Sequence, residues 1–207
     1  MKVIKNALVS TYLSKIRDKN TSCREFREHI KKLSGFVIYE ACEFLSTEKI
    51  TVHTPLMPCE CEIISDDIVI VPILRAALGM SDIALDLLGK ASVGFLGIQR
   101  NEKTLEPEFF FEKYPQDMKN KTAIIIDPMF ATGGSAIAAV ERLKAVGVKK
   151  IVFASIIAAP EAVEKMTKIH PDVKLITACL DKGLNEKGYI IPGLGDAGDR
   201  IFNTLRD

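Results

Sequence analysis

Short runs of β-branched residues, each followed by a loop and an amphipathic stretch, constrain this chain more than any other feature. Ile-Val-Ile-Val at 68–71, Val-Gly-Phe-Leu-Gly-Ile at 93–98, Ala-Ile-Ile-Ile at 123–126, the apolar run 151–157 and the segment 174–179 read as five strands. Residues 80–88, 135–146 and 161–169 read as helices, the second stopped by Gly147 and the third by Pro171. A strand of unbroken Val and Ile has no face suited to water. The pattern therefore predicts an α/β fold, a mainly parallel twisted sheet flanked by helices, with functional loops at the carboxyl ends of its strands.

Four segments stand outside that rhythm. Residues 21–45 read as a helix whose Phe26, Ile30, Leu33, Val37 and Phe44 recur at three- and four-residue steps. Residues 49–66, interrupted by Pro55 and Pro58, read as a loop or short edge strands. Residues 99–117 read as a hairpin arm or flap, with Phe109, Phe110 and Phe111 either packed on a partner subunit or buried in a strand. The C-terminal part holds Gly183, Gly188, Gly193, Gly195 and Gly198, a density that favours a loop shaped around a ligand. One domain spanning 1–207 is expected, with a core over about 65–180. A small hood is expected from about 181–207 with part of the N-terminal segment.

Charge and cysteine content narrow the function. The 28 Lys and Arg nearly cancel the 27 Asp and Glu, which argues against a nucleic-acid coat or a membrane-surface binder held by bulk positive charge. The longest apolar run, 151–159, falls well short of the roughly 18 residues a spanning helix needs. No signal-peptide pattern opens the sequence, and the cysteines number five, an odd count; a cytoplasmic setting with reduced thiols is expected. Cys59-Glu60-Cys61 resembles half a metal site but has no second ligand pair, and His29, His53 and His170 lie isolated.

The chemistry concentrates in Ile124-Ile125-Ile126-Asp127-Pro128-Met129-Phe130-Ala131-Thr132-Gly133-Gly134-Ser135. An apolar strand delivers an acid, then small residues open a helix. Small residues let backbone N–H groups approach an anion, and the helix N-terminus adds partial positive charge. Thr132 and Ser135 can donate hydroxyl hydrogen bonds to phosphate oxygens. Asp127 would repel phosphate, and suits ribose hydroxyls or a metal ion instead. The combination calls for a phosphorylated sugar; the plainer alternative is a capped helix after a strand. A Walker loop is excluded by the missing Gly-Lys-[Ser/Thr], and a dinucleotide fingerprint by the missing G-x-G-x-x-G.

This stretch resembles the ribose-5-phosphate loop of type I phosphoribosyltransferases. Its Asp127-Pro128, where most of that superfamily has two acids, is similar to the uracil phosphoribosyltransferase branch. The stretch 71–80 (Val-Pro-Ile-Leu-Arg-Ala-Ala-Leu-Gly-Met), the stretch 183–199 with Gly193-Leu194-Gly195-Asp196-Ala197-Gly198-Asp199, and Arg100-Asn101-Glu102 with Leu105-Glu106-Pro107 resemble that branch too. The four motifs follow the family's order and cover the chain from about residue 68 onward.

The resemblance implies transfer of the phosphoribosyl group of phosphoribosyl pyrophosphate (PRPP) to N1 of uracil, giving UMP and pyrophosphate in pyrimidine salvage. It implies that Arg75, Arg100 and Asp127 are catalytic, and that Arg75 and Arg100 bind the leaving pyrophosphate as guanidinium forks. A non-proline cis peptide would be expected at Arg75-Ala76. Asp127, Pro128, Met129, Phe130, Ala131, Thr132, Gly133, Gly134 and Ser135 would hold ribose and 5-phosphate. Ile190, Gly195, Asp196 and Ala197 would read uracil through their backbone, and a cytosine amino group would meet a donor where an acceptor is needed. Asp196 would also reach PRPP, through the Mg²⁺ it carries. A GTP effector is known among relatives, and no residues here point to its site. Phe130 and Gln99 depart from the residues more usual in the family. A phosphoribosyltransferase for another base and an RNA-binding regulator of the same fold are the alternatives, the second weakened by the balanced charge. The aromatic run suggests a homodimer or a higher homo-oligomer.

Overall fold

Alternate residues of a single strand, Thr122–Phe130, face two separate cores in the computed structural model, which describes residues 1–100 and 107–204. Ile124 and Ile126 point into one core, Ala123 and Ile125 into the other, and all four are fully buried. A period of two on a strand buried on both faces is what an uninterrupted Ile run dictates.

In chain order the strands are β1 (Lys2–Val3), β2 (Thr47–His53), β3 (Pro58–Ile64), β4 (Ile68–Leu74), β5 (Ser92–Val93), β6 (Phe95–Arg100), β7 (Pro107–Lys113), β8 (Thr122–Phe130), β9 (Lys150–Ala158), β10 (Lys174–Leu180), β11 (Gly183–Leu184) and β12 (Ile190–Ile191). The helices are α1 (Ala7–Arg17), α2 (Cys23–Ala41), α3 (Leu78–Leu87), α4 (Gly134–Ala145), α5 (Pro160–Ile169) and α6 (Ala197–Phe202). The main sheet runs β1-β10-β9-β8-β4-β6-β7, with β5 also paired to β4. Every neighbour is parallel except β7, which folds back on β6. Buried residues of α1, α2, α3 and α6 fill one face, and those of α4 and α5 fill the other.

The expected mainly parallel sheet flanked by helices is present, with instructive differences along the chain. The strand expected over 123–126 continues to Phe130, through Asp127 and Pro128. Pairing with β4 ends at Pro72↔Ile126 while pairing with β9 goes on to Phe130↔Ala158, so Pro128 lies where β8 has lost one neighbour. Residues 49–66 belong to a two-stranded antiparallel hairpin apart from the main sheet, with Pro55 in the turn and Pro58 at the first position of β3. Residues 21–45 hold α2, closed at its start by a capping box in which the Ser22 and Glu25 side chains bond each other's backbone. The flap expected over 99–117 is seen in part as the β6–β7 pair, and Phe109, Phe110 and Phe111 are exposed rather than buried. Asn101, Glu102, Leu105 and Glu106 of the sequence motif and the Arg100 side chain lie outside the described residues. No described helix is long and apolar enough to cross a membrane.

Phe130, which departs from the residue usual at this point in the resembling sequences, turns into the core. Its ring is 2% exposed and lies 4.6 Å, centroid to centroid, from that of Phe153, which is wholly buried. Truncating Phe153 leaves a cavity beneath β8 that close packing cannot refill. Phe153→Ala is expected to cost about 3–5 kcal/mol of stability, read by denaturant unfolding.

Candidate active site

The carboxyl ends of β4 and β8 lie side by side in the sheet, and the chain after each turns toward one cleft of about 460 Å³. Ile73, Leu74, Arg75 and Ala76 come from the end of β4; Asp127, Met129, Ala131 and Ser135 come from β8 and the loop into α4. The opposite wall is the hood, from Lys187 through Ile190 to Gly195, Asp196, Ala197 and Gly198. The volume suits a small organic ligand, and the place is where an open α/β sheet binds one. A larger hollow of about 550 Å³ lies at the root of the β2–β3 hairpin. Its two acids are already committed, Asp66 to Lys150 at 2.7 Å and Asp67 to Lys121 at 2.6 Å.

Most residues singled out from the sequence meet here. Arg75, Asp127, Met129, Ala131, Ser135, Ile190, Gly195, Asp196 and Ala197 all line the cleft. Pro128 and Phe130 are buried away from it, leaving only their backbone to the loop. Thr132, Gly133 and Gly134 form the turn into α4 without lining this cleft. Gly133 takes φ +79, and a Cβ there would meet the Ala162 backbone of α5 at 3.3 Å, so the turn needs glycine twice over. Lys187 and Tyr189 line the site without having been singled out, hinted at only by the glycine-rich composition of 183–198, while Gly188, Gly198 and Ala76, named in the sequence without a role at the site, line it too.

Arg75 follows a cis peptide at Leu74–Arg75, one residue earlier than the Arg75-Ala76 expected. Its side chain is 60% exposed, and its guanidinium meets Asp199 at 3.4 Å and lies 5.9 Å over the Phe202 ring. An exposed pair at that distance contributes little, so the fork can exchange its carboxylate for another anion at small cost. Asp196, which lines the cleft, caps α6, its Oδ1 accepting the Asp199 N–H at 2.8 Å.

Asp127 is the strained acid of the site. The residue keeps some surface toward the cleft, but protein packs around its carboxyl, and desolvation pushes its pKa up to about 7 despite the Met129 N–H it accepts at 3.2 Å. No group of three or more His, Cys, Asp and Glu that could hold a metal ion occurs among the described residues. Cys59 and Cys61 touch at 3.6 Å on β3 with no third ligand.

The raised Asp127 pKa has a stability consequence with a definite sign. The folded protein holds this proton more tightly than the unfolded chain does, so the group's contribution falls as pH rises from about 4 to about 7 and is level above. Asp127→Asn carries no such slope. The variant is expected to gain on the wild type steadily across that window, measured by denaturant unfolding at half-unit pH steps; a constant difference would contradict the buried, neutral acid.

Comparison with known proteins shows the family. The family model described as Uracil phosphoribosyltransferase matches residues 3–204. A uracil phosphoribosyltransferase of Campylobacter jejuni subsp. jejuni is 51% identical over 202 residues, covering 98% of this chain and 97% of its own. A solved protein of Aquifex aeolicus superposes with a TM-score of 0.90 at 36% identity, covering 97% of each chain. The adenine phosphoribosyltransferase of Leishmania donovani, at 16% identity and TM-score 0.58 over 88% of this chain and 84% of its own, shares the fold alone. The chain, with its glycine loop after β8 and its hood over the strand ends, belongs to the uracil phosphoribosyltransferase family.

Proposed function

We propose that the cleft between the strand ends and the hood carries the family's reaction, in which N1 of uracil displaces pyrophosphate from C1′ of PRPP to give UMP. One observation supports the assignment above the rest: Asp127, Ala131 and Ser135, on either side of the small-residue turn that opens a helix, and a glycine-rich hood 50 or more residues away in sequence face the same cleft. The first suits a ribose phosphate, the second a flat ring read by backbone groups.

The residue chemistry divides the work. The N-terminus of α4, with Ser135 and the backbone of 131–134, takes the 5-phosphate through N–H groups and the helix dipole. Asp127, once ionised, accepts from the ribose hydroxyls. Arg75 and Arg100 take the pyrophosphate, whose charge grows as the C1′–O bond breaks and positive charge spreads over the ribose ring. Uracil offers two carbonyl acceptors and one N3–H donor, to be matched by the backbone at Ile190 and Gly195–Ala197. Cytosine carries an amino donor in place of one acceptor and leaves a buried partner unpaired.

The donor set fits Mg²⁺ carried in by the substrate. This ion keeps several oxygen ligands of its own and uses few protein carboxylates, and the site offers the remaining oxygens of Asp196 and Asp127 rather than a cage. Bound there, it would spread the charge of the pyrophosphate. The exposed Phe109, Phe110 and Phe111 support a homodimer.

Arg75→Ala tests the assignment. Losing one preorganised charge contact to a departing anion costs about 10²–10³ in rate, so kcat/KM for PRPP is expected to fall by that factor with the folded state intact by circular dichroism. A variant with wild-type kcat/KM would place the pyrophosphate elsewhere.

A further inference from the structure

The hood loop is held by two arginines, one at each end of the chain. Arg17, the last residue of α1, sends Nη1 to the Gly193 carbonyl at 2.7 Å and to Asp181 Oδ2 at 2.9 Å, while Nη2 reaches Asp181 Oδ1 at 2.5 Å and the Cys179 sulfur at 3.3 Å. Asp181 Oδ2 also accepts the Gly193 N–H at 2.9 Å. Both polar groups of Gly193 are therefore engaged by one buried ion pair. The Asp181 side chain is 4% exposed, and its own N–H is bonded to Ala158 O at the end of β9. Burial opposes the Asp181 charge, and the Arg17 fork and the Gly193 N–H outweigh it, holding the pKa below the usual carboxylate range.

The next peptide is held from the other side. Arg200 of α6 donates from Nη1 to the Leu194 carbonyl at 2.8 Å and to Ile16 O, donates from Nη2 to Asp18 O at 2.7 Å, and lies 4.2 Å over the Phe26 ring. In a planar trans peptide the N–H points opposite to the C=O. Fixing the Gly193 and Leu194 carbonyls fixes the Leu194 and Gly195 N–H directions, and Gly195 lines the cleft. Gly193 is itself obligatory in this arrangement, with φ +57 and a hypothetical Cβ 2.1 Å from Ile190 O.

We propose that Arg17, Asp181 and Arg200 are positioning residues for uracil, which set the peptide planes of the base-reading loop and make the N-terminal helix part of the specificity apparatus. This rests on the assignment of the hood to the base. The fork matters as well as the charge, because a lysine cannot hold the Gly193 carbonyl and both carboxylate oxygens together. Small misplacements of a binding group cost up to about 100-fold.

Asp181→Asn and Arg17→Lys, both close in volume to the native residues, test the proposal by steady-state kinetics and amide hydrogen exchange. The KM for uracil is expected to rise about tenfold or more while the KM for PRPP stays within about twofold. Exchange across 190–195 is expected to accelerate, with the β8 amides unchanged. Equal shifts in both KM values, or wild-type exchange across 190–195, would overturn the proposal while UMP production leaves the hood assignment standing. A wild type that binds PRPP yet makes no UMP would sink that assignment, and the positioning role with it.

Discussion

The burial of β8 on both faces, between β4 and β9, fixes where everything else in this protein sits. Its Ile124 and Ile126 hold the α1–α3 and α6 layer, its Ala123 and Ile125 the α4 and α5 layer, and slipping the register by one residue would exchange the two. Because β4 and β8 are parallel and in register from Ile68↔Thr122 to Pro72↔Ile126, their carboxyl ends reach the same level. Arg75 and Asp127 are neighbours in space for that reason alone. The chain after β8 must turn sharply into α4, and the left-handed Gly133 makes the turn against α5.

On this rigid floor the site places one acid in an unfavourable setting. Asp127 is surrounded by protein, and its pKa is pushed up to about 7 because the one Met129 N–H it accepts does not offset the burial of its charge. The cations near it, Arg75 and Lys187, line the same cleft but make no hydrogen bond to it. A ligand that brings hydroxyl donors relieves the acid, and one that brings phosphate charge satisfies the arginine. A phosphorylated sugar does both, which is the physical content of the strand–acid–glycine arrangement. In the function proposed above, the floor takes the ribose half of the reaction and the hood takes the base.

The legibility of the sequence follows range along the chain. The Asp127–Ser135 segment could be read because strand, acid, turn and helix are consecutive, each with a local signature. The hood as a glycine-rich shaped loop was equally plain, but its place opposite Asp127 depends on contacts between residues more than 50 apart in sequence. Arg17 and Asp181, 164 residues apart, carry no signature at all: each reads as a surface charge until the fold joins them. Helix α1 did leave a trace in Asn6, which caps Leu8, and in the buried Val9, Leu13 and Ile16. The β2–β3 hairpin was obscured because its prolines punctuate a turn rather than end a structure. The limited burial on its strands also leaves weak alternation to read.

The central claim is that the hood's backbone, held over a phosphoribosyl site, chooses uracil. Incubating the full-length protein with PRPP and Mg²⁺ against uracil, cytosine, hypoxanthine, guanine, adenine and orotate separately, with and without GTP, and following nucleotide formation by chromatography tests it directly. UMP from uracil alone is the predicted result. A purine nucleotide, or no nucleotide from any base under either condition, would contradict it.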